Sequence, residues 1–228
     1  FSLKLAKITK DVCGLQPCSV DPELCLKHVK LDDGTIVLIC IMTKHVDDLK
    51  LAGPRKVIQE IVDKIKAVFG DLIIQWNTFT NCGVRHIQDT KTFEITLDQT
   101  LYIAALKPIA HPDLTGTDSA STASDALQLL FMSLVGAVAY ALLCRLDAAV
   151  FVAALQRTTQ SCCIIHITRL NKLVRWMQAN PKVIKYPRLT STDMHLRCIS
   201  DSAFKKEEDS GHALKGALFL RCVTTWKP

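Results

Sequence analysis

The chain of 228 residues carries 28 Lys and Arg against 22 Asp and Glu, for a net charge of +6 and a pI near 8.8. Hydrophobic residues make up 49% and charged residues 22%, which excludes a disordered tail and allows a sizeable core. Ten cysteines scattered through apolar runs, with no signal peptide ahead of them, exclude the disulfide framework of a small secreted domain and point to reduced intracellular thiols. The basic balance is compatible with a phosphate-rich partner without identifying one. Because Phe1 already lies inside a patterned segment, the chain is expected to be a piece of something longer.

Residues 1–30 mix apolar and basic positions and include a break at Asp21-Pro22. Residues 36–42 form an almost continuous Val, Ile and Leu run, which predicts a buried strand. "LKLAG" returns from it, leaving Asp47-Asp48 at or near the tip of a hairpin. Gly53-Pro54 opens a helix whose apolar residues, from Val57 to Phe69, recur at helical spacing until Gly70 ends it. "FTNCGVRHIQDTKTFEITL" reads as a second hairpin turning at Asp89-Thr90-Lys91. Asp98 caps a short helix that Pro108 stops, and residues 109–125 are a polar linker. Helices are predicted over residues 134–143, 148–155 and roughly 166–179. The long apolar run 127–144 is interrupted by Gln128 and Ser133, so a buried helix is expected there rather than a membrane span. Strand patterning returns with "HLRCIS", Asp201, the loop "KKEEDSGH" and "ALKGALFLRCV".

Two readings of Asp47-Asp48 stand side by side. Aspartate is common at hairpin turns because it tolerates left-handed backbone and bonds its own main chain. Paired carboxylates are also what a hard cation such as Mg²⁺ takes beside substrate phosphates, although a two-metal site needs a further carboxylate from another strand. Cys162, Cys163 and His166 lie close in sequence, but adjacent cysteines seldom both reach one zinc. The run Lys205 to Asp209 reads as a solvated loop.

The order apolar strand, x-V-D-D hairpin, amphipathic helix, hairpin carrying Cys82-Gly83-Val84 resembles the palm of a copia-type reverse transcriptase. "LVGAVAYALLCRLDAAVFVAALQR" is similar to the segment that follows the polymerase core in copia-type retrotransposon polyproteins, and "HITRLNKLVRWMQANP" continues the likeness. "CISDSAFKKEEDSGHALKGALFLR" resembles the opening of the ribonuclease H module, with Ser200-Asp201-Ser202-Ala203-Phe204 on its S-D-A-x-(W/F) motif. The likeness runs through nearly the whole chain in family order.

What the resemblance implies is an α+β fold in pieces. Residues 1–108 would be the C-terminal part of the palm with its primer-grip hairpin, 109–125 a linker, 126–190 the helical thumb or connection, and 191–228 the first strands of a ribonuclease H-like fold. Asp47 and Asp48 would be metal-facing carboxylates for two Mg²⁺ ions, and Asp201 the first carboxylate of the ribonuclease H site. His45 would stand where the family has tyrosine, with Gly83 and Arg85 meeting nucleic acid. The implied partners are an RNA or DNA primer–template, deoxynucleoside triphosphates and the rest of the Pol polyprotein, inside the cell in a cytoplasmic particle or the nucleus and not at a membrane. The other carboxylates of both centres would lie outside the chain, so it is expected to be inactive alone. Lys44, His45 and Leu146, which replaces a family proline and leaves Asp147 as a candidate N-cap, are departures expected of a decayed or truncated element. The alternatives are a non-catalytic nucleic-acid-binding or interaction remnant and a helical membrane-associated protein.

Overall fold

The computed structural model describes residues 2–189, 194–203 and 214–223. The chain divides into two compact units, Phe1–Gln88 with Thr96–Ile184, and Asp89–Ile95 with Lys185–Pro228. The fold is α+β, with antiparallel hairpins and helices.

In the first unit, β1 (Gln16–Pro17), β2 (Leu24–Lys30), β3 (Ile36–His45) and β4 (Asp48–Ala52) form an antiparallel sheet in chain order. Helix α1 (Ser2–Lys7) precedes it and α2 (Arg55–Phe69) follows. Pro54 caps the start of α2, and Gly70, at φ 87°, closes it by donating its N–H to the Lys66 carbonyl. Ile61 and Ile65 of α2 are buried against Cys40 and Met42 of β3, Cys25 of β2, Cys13 and Leu15. Each such large side chain contributes roughly 1.5–3 kcal/mol. Gly53 makes the strand-to-helix corner possible, because a Cβ there would lie 2.6 Å from the Ile39 carbonyl oxygen.

The expectation of a wholly buried strand at residues 36–42 is corrected. Only Cys40 and Met42 are buried, while Ile36, Val37 and Leu38 are exposed. A continuous apolar run is buried throughout only when both sheet faces are covered, and here the inward-facing residues at the C-terminal end of β3 alone meet the α2 core.

The second predicted hairpin forms, turning through residues 89–94, and gains one further strand on its N-terminal side. β5 (Thr78–Asn81) and β6 (Val84–Gln88) turn at Cys82-Gly83, and β7 (Ile95–Asp98) follows. Cys82 and Gly83 both have positive φ, 46° and 69°, the pattern of a type I′ turn. The sheet order is β5-β6-β7-β8, with β8 at Ile184–Tyr186.

The helical core contains α3 (Thr100–Ala105), α4 (Asp125–Tyr140), α5 (Ala149–Gln156) and α6 (Ile164–Ala179). Phe131, Val138, Val152, Ile167, Leu170 and Met177 lie at its centre. Helix α4 runs through the apolar stretch where a buried helix is expected, starting nine residues ahead of the 134–143 range, and Gln128 does not interrupt it: its amide donates to the carbonyls of Thr159 and Gln160 at 3.1 and 3.0 Å. Asp125–Leu143 is long and apolar enough to cross a membrane by length and composition, and 33% of its apolar window is buried inside the protein.

Polar side chains tie this core together. Asn171 bonds both the N–H and the carbonyl of Ile109, at 2.7 and 2.8 Å. Gln178 donates to the carbonyls of Ile103, Ala104 and Leu106 at the end of α3. The polar segment before α4 is pinned to the start of α6 through Ala123 N–H to Cys162 O and Ile164 N–H to Ser121 O. Cys163 and His166 form a capping box on α6, with Cys163 N–H donating to His166 Nδ1 at 2.9 Å.

Arg145 is fully buried. Its guanidinium donates to both carboxylate oxygens of Asp147, at 2.9 and 3.1 Å, and to the Met177 carbonyl at 3.0 Å, and lies 5.0 Å over the Trp176 ring. Asp147 also holds Lys182 at 2.9 Å. It is therefore not an N-cap: a buried guanidinium requires a counter-charge, and that demand outweighs capping.

In the second unit, β9 (Met194–Ala203) and β10 (Leu214–Val223) pair antiparallel, from Met194 opposite Val223 to Ala203 opposite Leu214. Arg188 lies 5.1 Å over the Phe93 ring, and Lys185 pairs with Glu94 at 3.4 Å.

Candidate nucleic-acid site at the acid-pair hairpin

The β3–β4 register sets His45 opposite Asp48, Thr43 opposite Lys50 and Ile41 opposite Ala52. Val46 and Asp47 are the two loop residues. Only Val46 has positive φ, 57°, the sign pattern of a type II′ turn whose first position normally belongs to glycine. A β-branched residue there is a conformational outlier, and such strain concentrates at functional sites. His45, Val46, Asp47 and Asp48 are all exposed at this tip.

Cross-strand pairing puts Thr43, His45, Asp48 and Lys50 on one face of the hairpin. The other face carries Cys40, Met42 and Lys44. Lys44 is only 10% exposed at its side chain and pairs with Glu23 at 3.5 Å, which accounts for a basic residue in an apolar strand.

The second hairpin meets the acid-pair face. Lys50 Nζ lies 2.8 Å from His86 Nε2, and His86 Nδ1 lies 3.0 Å from the Val84 carbonyl oxygen. The carbonyl assigns the imidazole proton to Nδ1, so Nε2 accepts from the ammonium. Phe79 stacks on the His86 ring at 4.9 Å and 8°. Burial first, and then the Lys50 charge, push the His86 imidazole below its ordinary 6.5, and burial pushes Lys50 below its ordinary 10.5. The turn of this hairpin is held from the helical side: Tyr140 donates its hydroxyl to the Cys82 carbonyl, and its ring lies 3.5 Å from where a Gly83 Cβ would be.

Of the residues predicted from sequence, His45, Asp47 and Asp48 come together at one tip. Gly83 sits at the second turn, against Tyr140. Arg85 is exposed and alternates to the face of β6 opposite the buried His86, so the strand does not turn it toward Lys50. Asp201 lies in the other unit, exposed on β9 opposite Gly216; Phe204 and residues 205–209 lie outside the described residues. Sequence reasoning missed Lys50 and His86. The available signal was phase: Lys50 is two residues from Asp48, and His86 two from Val84.

Asp47 and Asp48 supply the hard oxygen ligands that Mg²⁺ takes. Among the described residues, however, no three His, Cys, Asp or Glu side chains gather where a metal ion could be held. The described donor set does not complete a two-metal centre, and no catalytic step is assigned through one. Comparison with family models, with curated proteins and with solved structures finds no match to this chain.

Proposed function

We propose that this chain is a segment of a copia-type retrotransposon polyprotein, whose parent activity is RNA-directed DNA polymerisation with Mg²⁺ and a ribonuclease H module. In this reading residues 1–108 derive from the palm, residues 126–190 from the connection, and β9–β10 from the start of the ribonuclease H fold. Asp47 and Asp48 belong to the polymerase site, with His45, Gly83 and Arg85 near the primer–template and Asp201 in the ribonuclease site. The single observation that carries the reading is the strained two-residue turn, with Val46 at φ 57°, that presents both aspartates at an exposed tip. The antiparallel β9–β10 ladder through Asp201 and the bidentate Arg145–Asp147 pair in the helical segment are consistent supports.

In this reading the chain by itself binds nucleic acid without turnover. The test is photo-cross-linking with a primer–template whose 3′-terminal primer base is 4-thiothymidine. Cross-links at residues 45–48 and 82–86 are expected, with no primer extension. Cross-links confined to other segments would refute the assignment. Mg²⁺-dependent extension that Asp47→Asn abolishes would refute the absence of turnover.

A further inference from the structure

A cation drawn out of water is costly unless an anion or a ligand compensates it. Arg145, fully buried, has Asp147; Lys44, half-buried, has Glu23; and Lys27, half-buried, donates to the Cys13 carbonyl. Lys50 differs. It is half-buried, and among the described residues no carboxylate pairs with its ammonium, which donates to the neutral acceptor His86 Nε2 at 2.8 Å. Asp48 lies two residues along the same strand face, about 7 Å away by strand rise.

We infer that Lys50, oriented by His86, is an oxyanion-binding site that takes a phosphate group, from a polynucleotide backbone or from a nucleotide. One N–H of the ammonium is engaged by the imidazole, which fixes its direction and leaves two donors for phosphate oxygens. The His86 ring is fixed in turn by Val84 and by stacking on Phe79, so the cation is held by rigid neighbours rather than left on a mobile stem. Burial and, second to it, the Lys50 charge disfavour protonation of His86; an oxyanion at Lys50 offsets the second of these, so the imidazole gains affinity for a proton when the site fills. Among the described residues, the charge that acts on the ring is Lys50 of β4; Cys82 in the preceding turn acts on Lys50 and also on Tyr140 of α4. The inference deepens the polymerase-segment reading by naming what this hairpin binds, and its polynucleotide arm rests on that reading.

The experiment uses the full chain near neutral pH. Binding of a fluorescein-labelled primer–template is followed by anisotropy across a salt series, and sodium tripolyphosphate serves as the nucleotide-like probe. Lys50→Gln is expected to weaken primer–template binding roughly eightfold at ~0.1 M salt and to lower the salt slope by about 1. Lys50→Arg should retain most of the binding. In the unsubstituted chain, the histidine NMR signal of His86 should titrate at higher pH once tripolyphosphate saturates the site. Tripolyphosphate binding that depends on Lys50, together with no primer–template binding by the unsubstituted chain, would support the oxyanion site and sink the polymerase-segment reading. Unchanged binding of both probes in a folded Lys50→Gln chain would overturn the inference. If that variant does not fold, a His86 titration unmoved by tripolyphosphate in the unsubstituted chain overturns it equally.

Discussion

Replacing Asp147 with Ala removes the counter-charge of a guanidinium that has no exposed surface, leaving it the Met177 carbonyl and the face of Trp176. Breaking a buried pair from one side costs about 3–5 kcal/mol, a large part of the stability of an ordinary domain. Losing the Lys182 pair, which lies at the surface, adds at most about 1 kcal/mol. The carboxyl reflects the same pair: its bonds to Arg145, and less so Lys182, hold it at about 2 rather than the ordinary 3.8. The folded value is the lower one, so the stabilisation, about 2 kcal/mol, is present above about pH 4 and disappears as pH falls through about 2. Urea unfolding followed by far-ultraviolet circular dichroism is the assay. At neutral pH the Asp147→Ala midpoint should fall by the equivalent of about 3–5 kcal/mol without a change in slope. The gap to the unsubstituted chain should narrow by about 2 kcal/mol near pH 2. Arg145→Met combined with Asp147→Leu should recover most of the loss, because removing both charges leaves nothing uncompensated. A loss below about 1 kcal/mol, or a gap that does not narrow in acid, would refute the reasoning.

Two further changes probe the acid-pair hairpin. Gly53→Ala places a Cβ 2.6 Å from the Ile39 carbonyl oxygen and 3.2 Å from the Cys40 Cα, and backbone cannot yield as a side chain can. It should cost about 1–3 kcal/mol, read as a lowered thermal midpoint, and an unchanged midpoint would mean that the corner is not this tight. Val46→Gly should stabilise the chain by about 1 kcal/mol or less, because relief of the left-handed strain exceeds the added entropy of glycine. A drop in the urea midpoint instead would show that the Val46 side chain, 75% exposed, makes contacts that hold the turn.

The parts of the fold legible in the sequence are those governed by neighbours in the chain. Gly53-Pro54 and Gly70 mark the ends of α2, and the position of Asp47-Asp48 between two β-prone runs locates the hairpin tip. What was not legible depends on what arrives from elsewhere. Nothing near Ile36 to Leu38 says that cover stops before the end of β3. Arg145 and Asp147 look like a helix-start signal until Met177 and Trp176, more than thirty residues on, enclose the guanidinium. Cys82-Gly83 is a weaker turn signature than Asn-Gly, so the three strands were read as two. The Lys50–His86 bond joins residues 36 positions apart: strand phase sets the face of each, but nothing local pairs the two.

The carbonyls of Ile103, Ala104 and Leu106, which close α3 and share the Gln178 amide, decide where this polypeptide can be dissected. Ile103 belongs to the helical core, and the Tyr102 hydroxyl is spent on the Ala137 carbonyl of α4. An excision ending at residue 108 would carry away a short helix whose docking partners stay behind, exposing Ile103 on one piece and an empty groove on the other. The seam between hairpins and helices therefore runs ahead of Thr100, and any attempt to exchange the helical half between related chains must take α3 with it.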